Sequence, residues 1–131
     1  MGNDYFDFLN DLGNRESGGN YKAENSIGYI GKYQFGESMM DDLGYYDSKD
    51  GTIKNDWKGN WIGKNGIYNK NDFLNNPEEQ EKAIRKEMEI LNKRIEKLGL
   101  DNFINTEHNG IYVTRSGLLA GAHLKGVGGG C

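Results

Sequence analysis

A carboxyl group on the apolar stripe of the first predicted helix constrains this chain more than any other sequence feature. Tyr5, Phe8, Leu9 and Leu12 recur at the spacing of one face of an α-helix. One further step of four residues along that face reaches Glu16. The pattern therefore predicts an acidic side chain on the core-facing stripe, at the C-terminal end of the helix.

This position indicates a tuned acid at Glu16. Burial and the negative end of the helix dipole both disfavour a charged carboxylate, so we expect the pKa of Glu16 to be raised. A carboxyl that stays protonated can act as a general acid. The alternative is a structural carboxylate at the rim of the core, solvated or paired with Lys22. The segment 17–19 (Ser-Gly-Gly) favours the acid, because its glycines break the helix and allow a close approach of a ligand.

Length, charge and composition limit the remaining possibilities. A chain of 131 residues predicts a single domain, 1–131. With a net charge of -4, we expect neither nucleic acid nor an anionic membrane as a partner. One cysteine excludes internal disulfides, and the N-terminal residues do not resemble a signal peptide. His108 and His123 stand apart without ligand-spaced partners, so we expect no metal and no other cofactor.

Two stretches between the predicted helices hold candidate ligand contacts. Glycines alternate with aromatic residues over 28–36, a pattern typical of a short hairpin or tight loop. It predicts either a structural turn or a wall that contacts sugar, with tyrosine rings stacking and Gln34 hydrogen-bonding. The polar stretch 44–72 carries Trp57 and Trp61, which would line a groove or plug the core beneath the loop.

Three further helices are expected. Residues 37–43 predict a short helix that ends at Gly44, with its methionines facing inward. The next predicted helix has Asn76 as N-cap, Pro77 at its first position, a capping box completed by Glu79, and Gly99 as its stop. The last segment, 114–125, begins with Thr114 as cap and runs into a glycine-rich tail without a phosphate-binding motif.

These motifs together resemble a known family. The segment 16–19 (Glu-Ser-Gly-Gly), followed by 28–36 with its Tyr-Gln-Phe-Gly run, is similar to the catalytic region of soluble lytic transglycosylases and goose-type lysozymes. The closest resemblance is to small peptidoglycan-cleaving domains of phages and contractile injection systems. Residues 118–128 are similar to the family's Ala-Tyr-Asn-Ala-Gly motif, although His123 and Leu124 stand where Tyr and Asn are usual.

The resemblance implies a lysozyme-like α+β fold, mainly helical, with a small β-hairpin near residues 27–35 beside the cleft. It implies cleavage of the β-1,4 bond between N-acetylmuramic acid and N-acetylglucosamine, with Glu16 as the catalytic general acid. The substrate-binding residues that it implies are Ser17, Tyr21, Tyr29, Tyr33, Gln34 and His123. Candidates for a second carboxylate are Glu37, Asp41 and Asp42. Without a second carboxylate, Glu16 alone would yield a 1,6-anhydro product. With a second carboxylate, water would add to the sugar instead. The sequence favours the single-acid route.

Other outcomes stay open at this stage. The chain would alternatively be a non-catalytic glycan-binding module of the cell wall, or a glycosidase that cleaves chitin. The expected partners are peptidoglycan strands and a larger phage-tail or secretion-spike protein, or an immunity or inhibitor protein. We expect action on the bacterial cell wall, in the periplasm or outside the cell after delivery. Because relatives of this type continue past the glycine run, we expect a domain trimmed at its C-terminal end.

Overall fold

The computed structural model describes residues 2–48, 55–99, 107–108, 111–112, 114–115, 117, 119–120 and 123, with the backbone alone for 2–6, 107–108 and 111–112. The glycine run 126–130, Leu124 and most of the motif 118–128 lie outside these residues. The chain divides into two compact units, Met1–Ile84 and Arg85–Cys131. The expected single domain stays a prediction.

The described elements make an α+β structure that is mainly helical, as the sequence predicts. In chain order they are α1 (Gly2–Ser17), α2 (Glu37–Asp42), β1 (Tyr46–Asp47), β2 (Asn60–Trp61), a 3₁₀ turn (Lys64–Gly66), α3 (Lys70–Leu74), α4 (Pro77–Lys97), β3 (Glu107–His108) and β4 (Ile111–Tyr112). Strands β1 and β2 pair antiparallel with Tyr46 opposite Trp61, and β3 and β4 pair antiparallel with Glu107 opposite Tyr112.

Helix α1 buries the part of the predicted stripe whose side chains are described; the side chain of Tyr5 lies outside that part. Leu9 and Leu12 are buried and Phe8 is half-buried, so the helical periodicity of the sequence is confirmed. The helix ends at Ser17, and the backbone N–H groups of Gly18 and Gly19 donate to carbonyls of its last turn. The helix begins at Gly2, so Asn3 and Asp4 lie inside it and not at its N-cap position.

The core of the first unit is aromatic. Phe35 and Phe73 pack edge to face with ring centroids 5.2 Å apart, and Tyr33 meets Phe35 in the same way at 6.2 Å. All three side chains are fully buried. Edge-to-face pairs of this kind add directional attraction to the burial of apolar area. The segment that carries the Tyr-Gln-Phe-Gly run is therefore part of the core, which fixes its position.

The predicted hairpin near residues 27–35 is wrong. The backbone there makes isolated antiparallel bridges, Glu24 with Ile30 and Ile30 with Phe35, and forms no continuous strands. The physical reason is the run of left-handed residues, Gly28, Gly31 and Gln34, which turn the chain before a ladder can extend. In the first unit the two-stranded sheet is instead formed by β1 and β2.

Helix α4 begins and ends where the sequence predicts. The side chain of Asn76 accepts from the backbone N–H of Glu79 at 3.0 Å, and Gly99 lies beyond the C-terminus with φ of +73°. The capping box is only half formed, because the Glu79 carboxylate accepts hydrogen bonds from the Tyr45 hydroxyl and from Asn65 instead. Burial and this carboxylate raise the pKa of Tyr45.

Candidate functional site

Glu16 occupies the predicted position at the C-terminal end of α1. It is half-buried and is followed at once by a turn in which Gly18 and Gly19 have φ of +69° and +83°. An ideal Cβ on Gly18 would meet nothing within 4 Å, so the space beside this residue is open. The carboxyl thus lies where an apolar helix face ends and an accessible turn begins, which is a suitable position for a general acid.

Ser17 fixes this helix end to the next segment of the chain. Its hydroxyl donates to the backbone carbonyl of Lys32 at 2.6 Å, with the Gly13 carbonyl at 3.2 Å, and accepts from the backbone N–H of Asn20 at 3.0 Å. The hydroxyl is therefore engaged with the backbone. Its predicted contact with substrate stays a prediction, and its observed hydrogen bond connects the end of α1 to the backbone of Lys32.

A charged cluster joins the segment 31–36 to α4. The Glu81 carboxylate accepts from the Tyr21 hydroxyl at 2.7 Å, the Tyr33 hydroxyl at 2.9 Å and the Lys32 ammonium at 3.0 Å. The ammonium also lies 5.1 Å from the centroids of both tyrosine rings, a cation–π arrangement. Gly13 makes room for the lysine stem, since a Cβ there would lie 2.6 Å from its Cε. We call these four side chains (Tyr21, Lys32, Tyr33 and Glu81) the Glu81 cluster.

The ionisation of the Glu81 cluster follows from these contacts. Burial raises the pKa of Glu81, but the hydrogen bonds from Tyr21, Lys32 and Tyr33 outweigh it, so the pKa is lowered overall. Burial and the Glu81 carboxylate raise the pKa of Tyr21. The cluster is therefore a carboxylate with three donors at neutral pH. Tyr21 is half-buried and Tyr33 is fully buried; their predicted contacts with substrate stay predictions.

Gln34 is a left-handed, buried residue. Its φ is +55° and its side-chain amide donates to the carbonyl of Gly31 at 3.0 Å. The neighbouring Gln80 accepts from the Lys32 N–H at 2.9 Å and donates to the Tyr21 carbonyl at 2.8 Å. The polar backbone of this turn is thus satisfied from within the protein. A non-glycine residue at positive φ is strained, and such residues cluster at functional sites.

The three candidates for a second carboxylate differ in their surroundings. Glu37 is 1% exposed, and its Oε2 accepts from the backbone N–H of Trp57 at 2.7 Å. Asp41 and Asp42 are exposed on α2, and Asp41 accepts from Ser48 at 3.3 Å. Glu37 is therefore the single buried carboxyl among them.

His123 is the predicted site residue that lies in the second unit. Its side chain is 1% exposed, and Nδ1 is hydrogen-bonded to the carboxylate of Glu87, which is also 1% exposed. The N-cap predicted for this segment is confirmed, because Thr114 accepts from the backbone N–H of Gly117 at 3.0 Å. A substrate contact of His123 stays a prediction; its observed contact is the buried hydrogen bond with Glu87.

Tyr29 is, like Tyr21, a predicted aromatic site residue that is half-buried. Its ring packs on Gly36, where a Cβ would lie 2.8 Å from the ring. A concavity of about 450 Å³ lies next to the turn that follows Glu16, lined by residues 19–22 with Leu74, Asn75 and Pro77. A larger one of about 800 Å³ contains none of the predicted site residues; it is lined by Ile90, Lys93, Arg94, Glu96, Lys97 and Leu98, at the C-terminal end of α4.

The helical spacing of α4 contains a sequence signal for two buried polar residues, Gln80 and Glu87. The buried seam of α4 runs through Ile84, Met88, Leu91 and Ile95. A step of four back from Ile84 reaches Gln80, and a step of three forward reaches Glu87; both are fully buried. Polar residues at helical spacing along an apolar seam are identifiable from the sequence, and Gln80 and Glu87 meet this criterion as Glu16 does. Glu81 lies beside this seam, and no sequence pattern identifies it.

Within the described residues, no group of three or more His, Cys, Asp or Glu side chains could hold a metal ion. In that same part of the chain, none of the helices has the length and apolar character needed to cross a membrane. No protein-family model, curated protein or solved structure matches this chain.

Proposed function

We propose that this protein cleaves peptidoglycan glycan strands at the β-1,4 bond between N-acetylmuramic acid and N-acetylglucosamine, with Glu16 as the general acid. The observation that carries the proposal is the position of Glu16. It is half-buried at the end of an apolar helix face and precedes an open two-glycine turn. Ser17 ties that turn to the segment 31–36, which completes the motif pair on which the family resemblance rests.

In the proposed reaction, Glu16 donates its proton to the glycosidic oxygen as the bond to the muramic acid C1 breaks and oxocarbenium character develops. The glucosamine chain leaves as an alcohol. The Glu16 carboxylate then accepts the proton of the muramic acid C6 hydroxyl, whose oxygen bonds to C1. This closes a 1,6-anhydro ring and restores the protonated acid, so no water is consumed.

The single-acid route is supported by the surroundings of Glu37, one of the three candidates for a second carboxylate. Glu37 is buried and its Oε2 accepts the backbone N–H of Trp57, so this carboxylate is engaged within the protein. A general base for water needs an available carboxylate facing the opposite side of the sugar ring. We therefore propose a lytic transglycosylase, with muramidase activity as the alternative outcome of the same site.

The lysozyme-like fold, action on the cell wall, and delivery by a larger phage-tail or secretion-spike protein belong to the same proposal. A net charge of -4 supports delivery by attachment, because peptidoglycan is itself anionic and would not attract the free domain.

A release assay with purified sacculi tests the proposal. The wild-type protein should liberate soluble muropeptides, and Glu16→Gln should lower the rate by about 10²-fold or more, because a positioned general acid typically contributes that much. Glu89→Gln, an exposed glutamate on α4, is the matched control and should act at the wild-type rate. A Glu16→Gln variant with half the wild-type rate would refute the assignment. Parallel incubation with chitin distinguishes a chitin-cleaving glycosidase, and binding without release would indicate a glycan-binding module.

A further inference from the structure

The turn at residues 55–57 adopts a conformation that its sequence does not favour. Asn55 and Trp57 have φ of +55° and +58°. Asparagine tolerates the left-handed region, but a tryptophan there is unusual. Such conformations persist only where neighbouring groups hold them, and they cluster at ligand-binding sites. The contacts that hold Trp57 are therefore informative.

Glu37 clamps this turn from one side. The backbone N–H of Trp57 donates to Glu37 Oε2 at 2.7 Å, and the backbone N–H of Glu37 donates to Asn55 Oδ1 at 2.8 Å. Burial raises the pKa of Tyr46 to about 12; the N–H of Gly59 opposes the shift, and the charge of Glu37 adds to it. The Glu37 carboxylate thus faces the backbone of Trp57 and the Tyr46 hydroxyl.

Two glycines of the segment 28–36 fit the other side of the same turn. A Cβ on Gly28 would lie 2.2 Å from the carbonyl oxygen of Asn55, and one on Gly36 would lie 2.9 Å from Asn55 Oδ1. The indole Nε1 of Trp57 donates to the Gly28 carbonyl at 2.7 Å. The close approach of the 55–57 turn therefore explains the glycines at positions 28 and 36.

These contacts present a stacked pair of indoles. The rings of Trp57 and Trp61 are nearly parallel at 18°, with centroids 5.5 Å apart. Tyr46 meets both edge to face, at 5.1 and 5.4 Å. Both tryptophan residues are half-buried, so each is partly accessible to solvent, and Trp61 also lies beside Phe73 of the core with ring centroids 6.3 Å apart. Aromatic faces with a polar edge suit the apolar face of a sugar ring.

We propose that Glu37 is a positioning residue that acts through Trp57, and that the Trp57–Trp61 stack binds the N-acetylhexosamine rings of a glycan strand. Glu37 then serves as a hydrogen-bond acceptor for the Trp57 backbone and takes no part in proton transfer. This inference rests on the proposed function, since the ligand is the strand that Glu16 would cleave. It assigns the turn, its two positive-φ residues and the two glycines to one purpose.

Tryptophan fluorescence tests the stack directly, because Trp57 and Trp61 are the two tryptophans of the chain. The probe is a preparation of uncross-linked glycan strands, freed of peptide stems by amidase, added to full-length Glu16→Gln. Binding should change the indole emission in a saturable way and protect it from acrylamide quenching. Trp57→Ala in the same background should weaken binding about tenfold or more, in line with the loss of a stacked ring. Strand binding measured by calorimetry with no protection of the indoles would overturn the proposal.

Two substitutions at Glu37 separate positioning from catalysis. Glu37→Gln keeps an acceptor oxygen for the Trp57 N–H, so it should leave kcat, KM and the pH profile of sacculus digestion close to wild type. Glu37→Ala removes the acceptor and should raise KM about tenfold with little change in kcat, while weakening the near-ultraviolet circular dichroism of the indole pair. Loss of kcat in Glu37→Gln with unchanged KM and dichroism would make Glu37 a catalytic carboxylate and overturn the proposal.

Failure of this inference is distinguishable from failure of the proposed function. If the wild-type protein does not cleave sacculi but strands protect the indoles, the binding platform stands and the enzyme assignment fails. If the protein cleaves sacculi and the indoles stay unprotected, the platform fails alone. Should Glu37→Ala not fold, the comparison of Glu37→Gln with wild type and the quenching experiment decide the outcome.

Discussion

The hydroxyl of Ser17 donates a 2.6 Å hydrogen bond to the backbone carbonyl of Lys32. This bond joins the residue after the proposed acid to the residue that begins the Lys-Tyr-Gln-Phe run. It gives a physical reason for the Glu-Ser pair: the serine holds the helix end, and the glutamate is held with it.

Replacing this serine should affect both stability and turnover. We expect Ser17→Ala to lower the free energy of unfolding by about 1 kcal/mol, the usual net value of one such hydrogen bond. The rate of sacculus digestion should fall as well, because the position of Glu16 relaxes. Urea denaturation and the release assay measure the two effects. Ser26→Ala, at an exposed position, is the control, and an effect of equal size there would contradict this account.

The two glycines at positions 18 and 31 form a matched pair for backbone strain. Both have positive φ, at +69° and +83°. A Cβ on Gly18 meets nothing, so Gly18→Ala should cost only the left-handed penalty of about 1–2 kcal/mol. A Cβ on Gly31 would lie 2.6 Å from Gln80 Oε1, so Gly31→Ala should cost clearly more. Urea denaturation of both variants checks the order, and equal costs would show that the turn at Gly31 gives way easily.

The Glu81 cluster predicts a defined pH dependence of stability. The folded pKa of Glu81 is lowered, so the native state binds fewer protons than the unfolded chain near the unfolded pKa of about 4.3. Its contribution is therefore complete above that pH and is lost as the pH falls through the folded pKa. Glu81→Gln should lower the melting temperature at about pH 7. The difference in melting temperature between this variant and wild type should become smaller toward about pH 3.

Thermal unfolding of wild type, Glu81→Gln and the exposed control Glu89→Gln across that range provides the measurement. Glu89→Gln should run parallel to wild type. If the gap for Glu81→Gln is independent of pH, the hydrogen bonds of the cluster do not depend on its charge, and the direction given for the pKa of Glu81 is wrong.

The buried pair of His123 and Glu87 should show strong coupling. Each side chain is 1% exposed, so removing one leaves the other without the partner seen here, in an environment that solvates it poorly. We expect His123→Phe and Glu87→Leu each to destabilise by about 3 kcal/mol, and the double variant to cost less than their sum. A double-mutant cycle by urea denaturation measures the coupling, and additive costs would show that the contact is not energetically important.

Periodicity and capping determined much of what the sequence could predict. The stripe through Leu9 and Leu12 located α1 and placed Glu16 at its end, and Asn76, Pro77 and Gly99 marked both ends of α4. These signals are local, because they depend on residues within one or two turns of each other.

The parts that the sequence did not predict depend on contacts between distant segments. The Glu81 cluster joins residues that are far apart in the sequence, since Lys32 and Glu81 are 49 positions apart. Likewise, the alternation of glycine and aromatic residues over 28–36 is as compatible with a hairpin as with a turn. In the structure Gly28 and Gly36 lie against the distant Asn55, and no local pattern reports that approach.

Mass spectrometry of the muropeptides released from sacculi distinguishes a lytic transglycosylase from a hydrolase. We predict chains that end in 1,6-anhydro-N-acetylmuramic acid, lighter by one water than the hydrolysed form and resistant to borohydride reduction. Glu16→Gln should release none of them, while Glu89→Gln should release them as wild type does. Reducing N-acetylmuramic acid ends would replace the transglycosylase with a muramidase. Reducing N-acetylglucosamine ends, or no released product from the wild-type protein, would contradict the account.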